Sequence, residues 1–342
     1  MTVYNKKGKS LEINIRLARP DEAPELIELL KKQYGSYYGG EMYDKEFVRK
    51  SIQSGTLQVI VAELPGGLIA GMIGADAGNV FSGSMVIVML VIKPELRGFG
   101  MSKILQGQLL KMIPQNTYTC IYGHCRTLDT ISQTNHIEFG YRMTGLLLNT
   151  YINDSNAEYV AGLPLPFKEV LLVACLPRTK KDAGMLYALP AYAAYITEVY
   201  ESLGVVYMLS AEKTRLKAPQ SVLFVNQDEQ QRYCEIIIKT AGLDLINQIE
   251  TILGQYAAPD QTFNIFINLN DPGCGNVCRL LEERGFFFTG IHPLSGPYEY
   301  VIMHYSPSLP VNFEEVAIVS EFIEQFNYIE IKYKEAQLVR QR

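Results

Sequence analysis

One stretch constrains the fold more than any other: the run Ser84–Ile92 (SMVIVMLVI), followed at once by Lys93-Pro94-Glu95-Leu96-Arg97-Gly98-Phe99-Gly100-Met101-Ser102. Nine apolar residues are too few to span a bilayer. Residues 85–92 read instead as a strand buried on both faces. Pro94 stops the run, and two glycines then permit backbone conformations that other residues resist. Helical periodicity begins at Met101 and continues to Ile113, where Pro114 breaks it. A buried strand, a glycine turn and a helix bring the unpaired amides of the helix's first turn into one loop. With the helix dipole, these amides make an anion site suited to a pyrophosphate, to which Arg97 adds a charged donor. A P-loop is excluded because Gly98–Lys103 lacks its spacing. A dinucleotide fingerprint is excluded because Lys103 stands where its third glycine belongs.

The rest of the chain alternates strands and helices. Strands are predicted at residues 13–19, 57–63, 68–77, 117–123, 142–151 and 169–176, and helices at 21–34, 44–53 with Asp44 as N-cap, and 128–139. Residues 34–43 (YGSYYGGEMY) read as a tyrosine-rich loop, and residues 1–11 as a loose polar tail. Residues 177–184 (PRTKKDAG) read as a linker. Beyond it, helices are predicted at 190–203, 243–253, 275–284 and 314–326. Strands are predicted at 221–225, 233–239, 263–269, 285–290 and 298–304.

Length and charge narrow the function classes. The 342 residues suit two domains. Lys+Arg 31 against Asp+Glu 36 gives a net charge of -5 with no basic stripe, so nucleic acid and membrane are poor partners. The N-terminus has no apolar stretch of signal-peptide type. The six cysteines show no zinc-ribbon or CxxC spacing, and the bland reading is reduced thiols in a cytoplasm. No metal site is expected, because His136-Ile137-Glu138 and Cys274-x3-Cys278 lack further ligands.

An internal repeat is visible at one place. Glu138-Phe139-Gly140-Tyr141-Arg142-Met143-Thr144-Gly145 aligns with Glu283-Arg284-Gly285-Phe286-Phe287-Phe288-Thr289-Gly290, each following a predicted helix. The second half has no counterpart of the glycine turn. Thr240-Ala241-Gly242-Leu243-Asp244 stands there, and Asp244 would set a carboxylate near any pyrophosphate.

Residues 92–102 resemble the acyl-CoA signature of the GNAT N-acetyltransferases, Val-x-Pro-x-x-Arg-Gly-x-Gly-x-Gly/Ala, with Ser102 at the last small position. Gly140-Tyr141 and Thr144-Gly145 resemble the family's second signature, and the element order to Leu176 matches. The resemblance covers residues 13–176 well and 185–305 weakly. It implies an α/β (α+β) fold of two tandem GNAT-like domains, residues 1–178 and 184–342, each a mixed, mostly antiparallel twisted sheet flanked by helices. The second would be degenerate. It also implies acetyl-CoA as cosubstrate: Leu90 and Ile92 hold the pantetheine arm like an added strand. The amides of Arg97, Gly98, Phe99, Gly100, Met101 and Ser102 hold the pyrophosphate. Ser132 and Asn135 lie on the helix that flanks the arm.

The implied reaction is N-acetyl transfer to an amine by direct attack in a ternary complex. The family's usual acidic tyrosine is replaced here by His136, a candidate acid whose charge changes near neutral pH. His124, expected at the end of its strand, is a candidate acceptor of the amine proton. Tyr37, Tyr38 and Glu41 are candidates for the acceptor side, the rings by cation–π contact and the carboxylate by charge. A small molecule or a peptide remains open as the acceptor, and a homodimer as the assembly. The alternative is a CoA-binding sensor or interaction scaffold without chemistry.

Overall fold

Periodicity becomes structure in the expected order in the computed structural model, which describes residues 1–38, 40–153, 166–179, 182–210 and 216–341. The chain divides into two units, Met1–Gly123 with Ile152–Phe167, and His124–Tyr151 with Lys168–Arg342. In the first, a hairpin of β1 (Thr2–Tyr4) and β2 (Ser10–Glu12) precedes β3 (Asn14–Leu17), α1 (Ala23–Tyr34) and α2 (Lys45–Ser54). Then follow β4 (Leu57–Glu63), β5 (Ile69–Asp76), β6 (Ser84–Ile92), α3 (Met101–Met112) and β7 (Cys120–Arg126), of which the residues from His124 on count with the second unit. Strands β3 to β7 lie in sequence order. All neighbours are antiparallel except β6 and β7, which are parallel and joined through α3.

The apolar stripes explain the packing. Leu26, Ile27 and Leu30 of α1 and Val48 of α2 form one core with Val59, Val61, Met72, Met89 and Val91 of the sheet. Asp44 caps α2 by accepting the Phe47 amide at 2.7 Å, worth about 1 kcal/mol. Arg16 of β3 fastens the entry to α1, donating to Glu22 at 2.6 Å and to Glu63 at 2.7 Å.

The second unit carries α4 (Ile131–Glu138) and β8 (Arg142–Leu147). The two-residue strands β9 (Ile152–Asn153) and β10 (Phe167–Lys168) precede β11 (Leu171–Pro177) in the chain. Next come β12 (Asp182–Tyr187), α5 (Ala193–Leu203), β13 (Val206–Ser210), β14 (Val222–Asp228), β15 (Tyr233–Thr240) and α6 (Leu245–Gln255). The chain continues through β16 (Thr262–Asn268), α7 (Cys274–Glu282), β17 (Phe287–Ser295), β18 (Tyr298–Tyr305) and α8 (Ile323–Arg340). The strand order in this unit is β14-β15-β16-β18-β17-β8-β11. The parallel pair in this order, β15 and β16, is again joined by a helix, and β12 and β13 pair in parallel in a separate two-stranded sheet.

The repeated octapeptides hold equivalent places in two antiparallel strand pairs. In β8/β11, Gly145 faces Val173 and the register skips Thr144. In β17/β18, Gly290 faces Ile302 and the register skips Thr289. Each threonine is thus the extra residue of a β-bulge. The two repeat glycines then pair with each other, Gly290 opposite Gly145. A Cβ on Gly290 would lie 2.3 Å from the Gly145 Cα and 2.7 Å from the Thr144 carbonyl, and its φ is +133°. Only glycine fits.

Several expectations are corrected. Residues 1–11 are not a loose tail, since they form the β1/β2 hairpin. β6 is not buried on both faces: Val86, Ile87, Val88, Leu90 and Ile92 keep exposed surface. The strand expected at 117–123 runs instead from Cys120 to Arg126, so His124 lies inside it. Part of the expected linker is strand β12, and Lys180 and Lys181 of that linker lie outside the described residues. β13 was not read from the sequence. The last helix starts at Ile323, after two single turns at Phe313–Glu315 and Ser320–Phe322.

Gly290→Ala is expected to destabilise the protein by about 2–4 kcal/mol, combining backbone strain with overpacking. Urea unfolding measures this, and a midpoint within error of the parent would contradict the tight crossing.

Candidate functional site

The parallel pair β6/β7 is short. It runs from Ser84–Cys120 to Ile87–Gly123 and stops, although β6 continues for five residues to Ile92. On its other side β6 bulges against β5: Met72 faces Val91, and Gly74 faces Val88. Met89 and Leu90 together oppose the single residue Ile73, and Met89 has φ +58°, a left-handed conformation in the middle of a strand. The bulge takes the Met89 amide out of the ladder, and it donates to Tyr38 Oη at 2.9 Å. Tyr34 Oη donates to the Leu90 carbonyl at 2.7 Å.

The strand leads into the glycine turn. Gly98 and Gly100 have φ of +86° and +71°, and no atom lies within 4 Å of a Cβ built on either. Gly100 is the N-cap of α3 and offers no side chain to its amides. Among the described residues, no acceptor faces the amides of Gly98, Gly100, Met101 and Ser102. Phe99 and Met101 are buried and pin the turn between these open positions. The loop is a rigid cradle of donors aimed at open space, as anion binding requires. Arg97 departs from expectation. Its guanidinium donates to Gln33 Oε1 at 2.7 Å and to the Ile92 carbonyl at 3.3 Å, bracing the loop against α1 and the end of β6. Sequence reasoning missed Gln33, a buried polar residue on an otherwise apolar helix face.

The tyrosine-rich loop packs on itself. The rings of Tyr34, Tyr37 and Tyr38 contact one another with centroids 5.1–5.7 Å apart. Tyr43 has Lys31 Nζ 5.2 Å from its ring centroid. Gly39 lies outside the described residues. Glu41 is exposed, and its charge acts on Asp76 at the end of β5, which sequence reasoning also missed. Burial raises the Asp76 carboxyl above its ordinary value; the Gly78 amide, donating at 2.8 Å, opposes the rise, and Glu41 adds to it. The two carboxylates are thus near enough to act on each other by charge.

The candidates on α4 and at His124 belong to the second unit. His136 Nδ1 is 2.8 Å from the Ser132 carbonyl. A carbonyl only accepts, so Nδ1 carries the proton. Nε2, enclosed and without a partner, has none to give. Burial lowers the His136 pKa to about 4. So placed, the ring is neutral at pH 7 and is not set up as a general acid. His124 is also lowered to about 4, by burial and by the nearby His136, and its Nε2 is enclosed without a partner. Asn135 is buried, and Ser132 lies beside the Cys125 thiol, which burial pushes up to about 12. At that value Cys125 is no nucleophile. All six cysteines are buried thiols outside any disulfide.

The counterpart of the cradle in the second half is closed. A Cβ on Gly242 would lie 2.3 Å from the Gln220 carbonyl carbon. Ser221 accepts the Gly242 amide at 2.9 Å, and Asp244 accepts from Ser221 at 2.8 Å. β15 and β16 stay paired from Tyr233–Thr262 to Ile238–Ile267 and do not part as β6 and β7 do. Among the described residues no cluster of three His, Cys, Asp or Glu side chains is placed to hold a metal. Nor is any helix long and apolar enough to cross a membrane.

No family model matches the sequence, and no curated protein matches it. Solved structures similar in fold each match about half of the chain. One is a candidate acetyltransferase from Acinetobacter baylyi, at 16% identity and TM-score 0.40, covering 49% of this chain and 94% of its own. Another is a candidate acetyltransferase from Salmonella typhimurium solved with acetyl-CoA, at 14% and 0.40, covering 50% and 97%. A third is the spermidine N-acetyltransferase of Vibrio cholerae with CoA and spermine, at 17% and 0.38, covering 48% and 95%. Each likeness is one of fold alone.

Asp76 yields a pH prediction. Its folded pKa is raised, so its charge costs stability above that pKa, and the cost fades as pH falls through it toward the unfolded value of about 4. Asp76→Asn is expected to melt higher than the parent at pH 8 and alike near pH 4. A pH-independent offset would contradict this.

Proposed function

We propose that the chain is an acyl-CoA-dependent N-acyltransferase that moves an acetyl group from acetyl-CoA to a cationic amine. One observation carries the reading: the free end of β6, bulged at Met89, leads directly into the open amide cradle of Gly98–Ser102. An unpaired strand edge suits an amide-bearing arm, and a cradle of donors suits a pyrophosphate. Acetyl-CoA has both groups, joined by a chain.

In the reaction the amine nitrogen attacks the thioester carbonyl carbon, the C–S bond breaks, and the amine proton ends on the CoA sulfur. The Met89 amide, turned out of the ladder, is suited to polarising the carbonyl oxygen. Glu41 and Asp76 supply the negative field that would attract an ammonium group. The neutral amine needed for attack forms on loss of its proton, with Asp76 a candidate acceptor because its carboxyl is raised. With His136 unable to give a proton from Nε2, the proton that the attacking nitrogen sheds reaches the sulfur directly or through a water relay. We further propose that the second half does not bind CoA, because its equivalent turn is filled by Ser221 and Asp244. Residence in the cytoplasm remains an expectation of the cysteine pattern.

The enclosed state of His124 and His136 favours the second reading, a CoA-binding sensor without chemistry. Acceptor-dependent release of the CoA thiol across an amine panel decides between the two. Calorimetric titration with acetyl-CoA is expected to give one site per chain. Gly100→Glu should abolish that binding by placing a carboxylate in the cradle. Since nothing crowds its Cβ, the fold should lose only about 1–2 kcal/mol, from the positive φ. Unchanged affinity in this variant would overturn the site.

A further inference from the structure

The second unit holds a cleft of its own, about 400 Å³ in volume, where the start of β8, α5 and the turn leading into α8 meet. That volume suits one small molecule. Packing fixes the apolar wall. Tyr141, Met143 and Val199 line the cleft and are themselves buried. The Tyr141 ring meets the His136 ring edge-on with centroids 4.6 Å apart, and Met143 pairs with Ala174 in the β8/β11 ladder.

Three charged side chains line the same cleft: Arg142, Glu198 and Glu321, all exposed. Among the described residues none of them forms an ion pair, with one another or with any other side chain. Arg126, Arg279 and Arg284 of the same unit are each paired with a glutamate. Arg142 instead donates to the Tyr141 carbonyl at 3.2 Å and keeps its other donors. Glu321 accepts from the Ser320 hydroxyl at 3.0 Å through one oxygen, which leaves the second. Gln325 is only 9% exposed, and its Nε2 donates to Glu198 and so orients that carboxylate. The Gln325 Oε1 accepts no hydrogen bond from the described residues, and a buried amide with an unused acceptor calls for a donor.

The cleft therefore offers one guanidinium, two carboxylates, one spare amide oxygen and an apolar wall. A polyamine would set an ammonium against Arg142. A simple anion would face both glutamates. A ligand with one carboxylate, two cationic groups and a short methylene chain matches every group. We propose that this cleft binds a basic α-amino acid: Arg142 takes its carboxylate, Glu198, Glu321 and Gln325 Oε1 take its two cationic groups, and Met143 and Val199 carry its methylenes. The site is built from residues of the second unit and does not depend on the acyl-CoA reading.

The test titrates the full chain calorimetrically, without acetyl-CoA, using lysine and two analogues that each lack one group. Norleucine lacks the side-chain ammonium, and cadaverine lacks the carboxylate. Lysine is expected to bind saturably, and each analogue about tenfold or more weakly, the loss that goes with one charged hydrogen bond. Arg142→Met should weaken lysine about tenfold and leave cadaverine unchanged or tighter, because it removes a like charge. Glu198→Gln should weaken both. These side chains are exposed, so both variants should melt like the parent, and the analogue comparison in the parent needs no variant. Undetectable lysine binding at about 10 mM would overturn the proposal. So would cadaverine binding the parent as tightly as lysine, or lysine affinity unchanged in Arg142→Met, which would put any lysine site elsewhere in the chain.

Discussion

The early end of the β6/β7 pairing is the constraint on which the candidate site depends. A strand inside a sheet has no hydrogen-bonding groups to offer a ligand, whereas an open edge risks pairing with the wrong partner. On its β7 side, β6 is paired along its first half and unpaired along its second, so the free edge is short. The bulge at Met89 turns one further amide out of the β5 ladder. A non-glycine residue at φ +58° in a strand costs energy, and the buried Met89 side chain, set in the core with α1 and α2, holds it there. The same core positions α1, and through Gln33 and Arg97 it fixes the cradle. One packing arrangement therefore sets both parts of the proposed site.

The two halves show how little separates an open site from a closed one. Each has a parallel strand pair joined by a helix, and each has glycine in the turn before that helix. In the first half the glycines face open space. In the second, Gly242 lies against the backbone at Gln220, with Ser221 and Asp244 satisfying the turn from within. The longer run of paired residues in β15/β16 removes the free edge as well. In the second half, internal hydrogen bonds occupy the turn that stands open in the first.

Much of this architecture was legible because it rests on local patterns. The strand–turn–helix at 85–113, the Asp44 cap and the repeated Gly-aromatic-x-x-Thr-Gly stretch each follow from a few neighbouring residues. The parts that were not legible depend on contacts between residues far apart in the chain. Gln33 is one polar residue on an apolar helix, and only the arrival of Arg97 explains it. Asp76 reads as the polar end of a strand until Glu41 is seen to act on it. His136 looked available because sequence cannot show that its own helix takes up the Nδ1 proton. The reach of Tyr38 from its loop onto the β6 bulge has no local signature either. The start of α8 was misplaced because apolar residues in single turns, such as Phe313 and Phe322, imitate helical spacing.

The Gly145–Gly290 crossing has a consequence for how the chain comes to be folded during synthesis. The strands β3 to β6 pair with near neighbours and can form while later residues are still being made. β8 cannot: its partner on one side is β17, which emerges only near the end of translation. Until then the β8/β11 pair presents an unpaired edge with a glycine near its centre, bare of any side chain that would deter a stray strand. Ribosome stalling or proteolysis anywhere between β11 and β17 would leave that edge exposed, so the most hazardous fragments of this protein are those that end just before the second glycine is made.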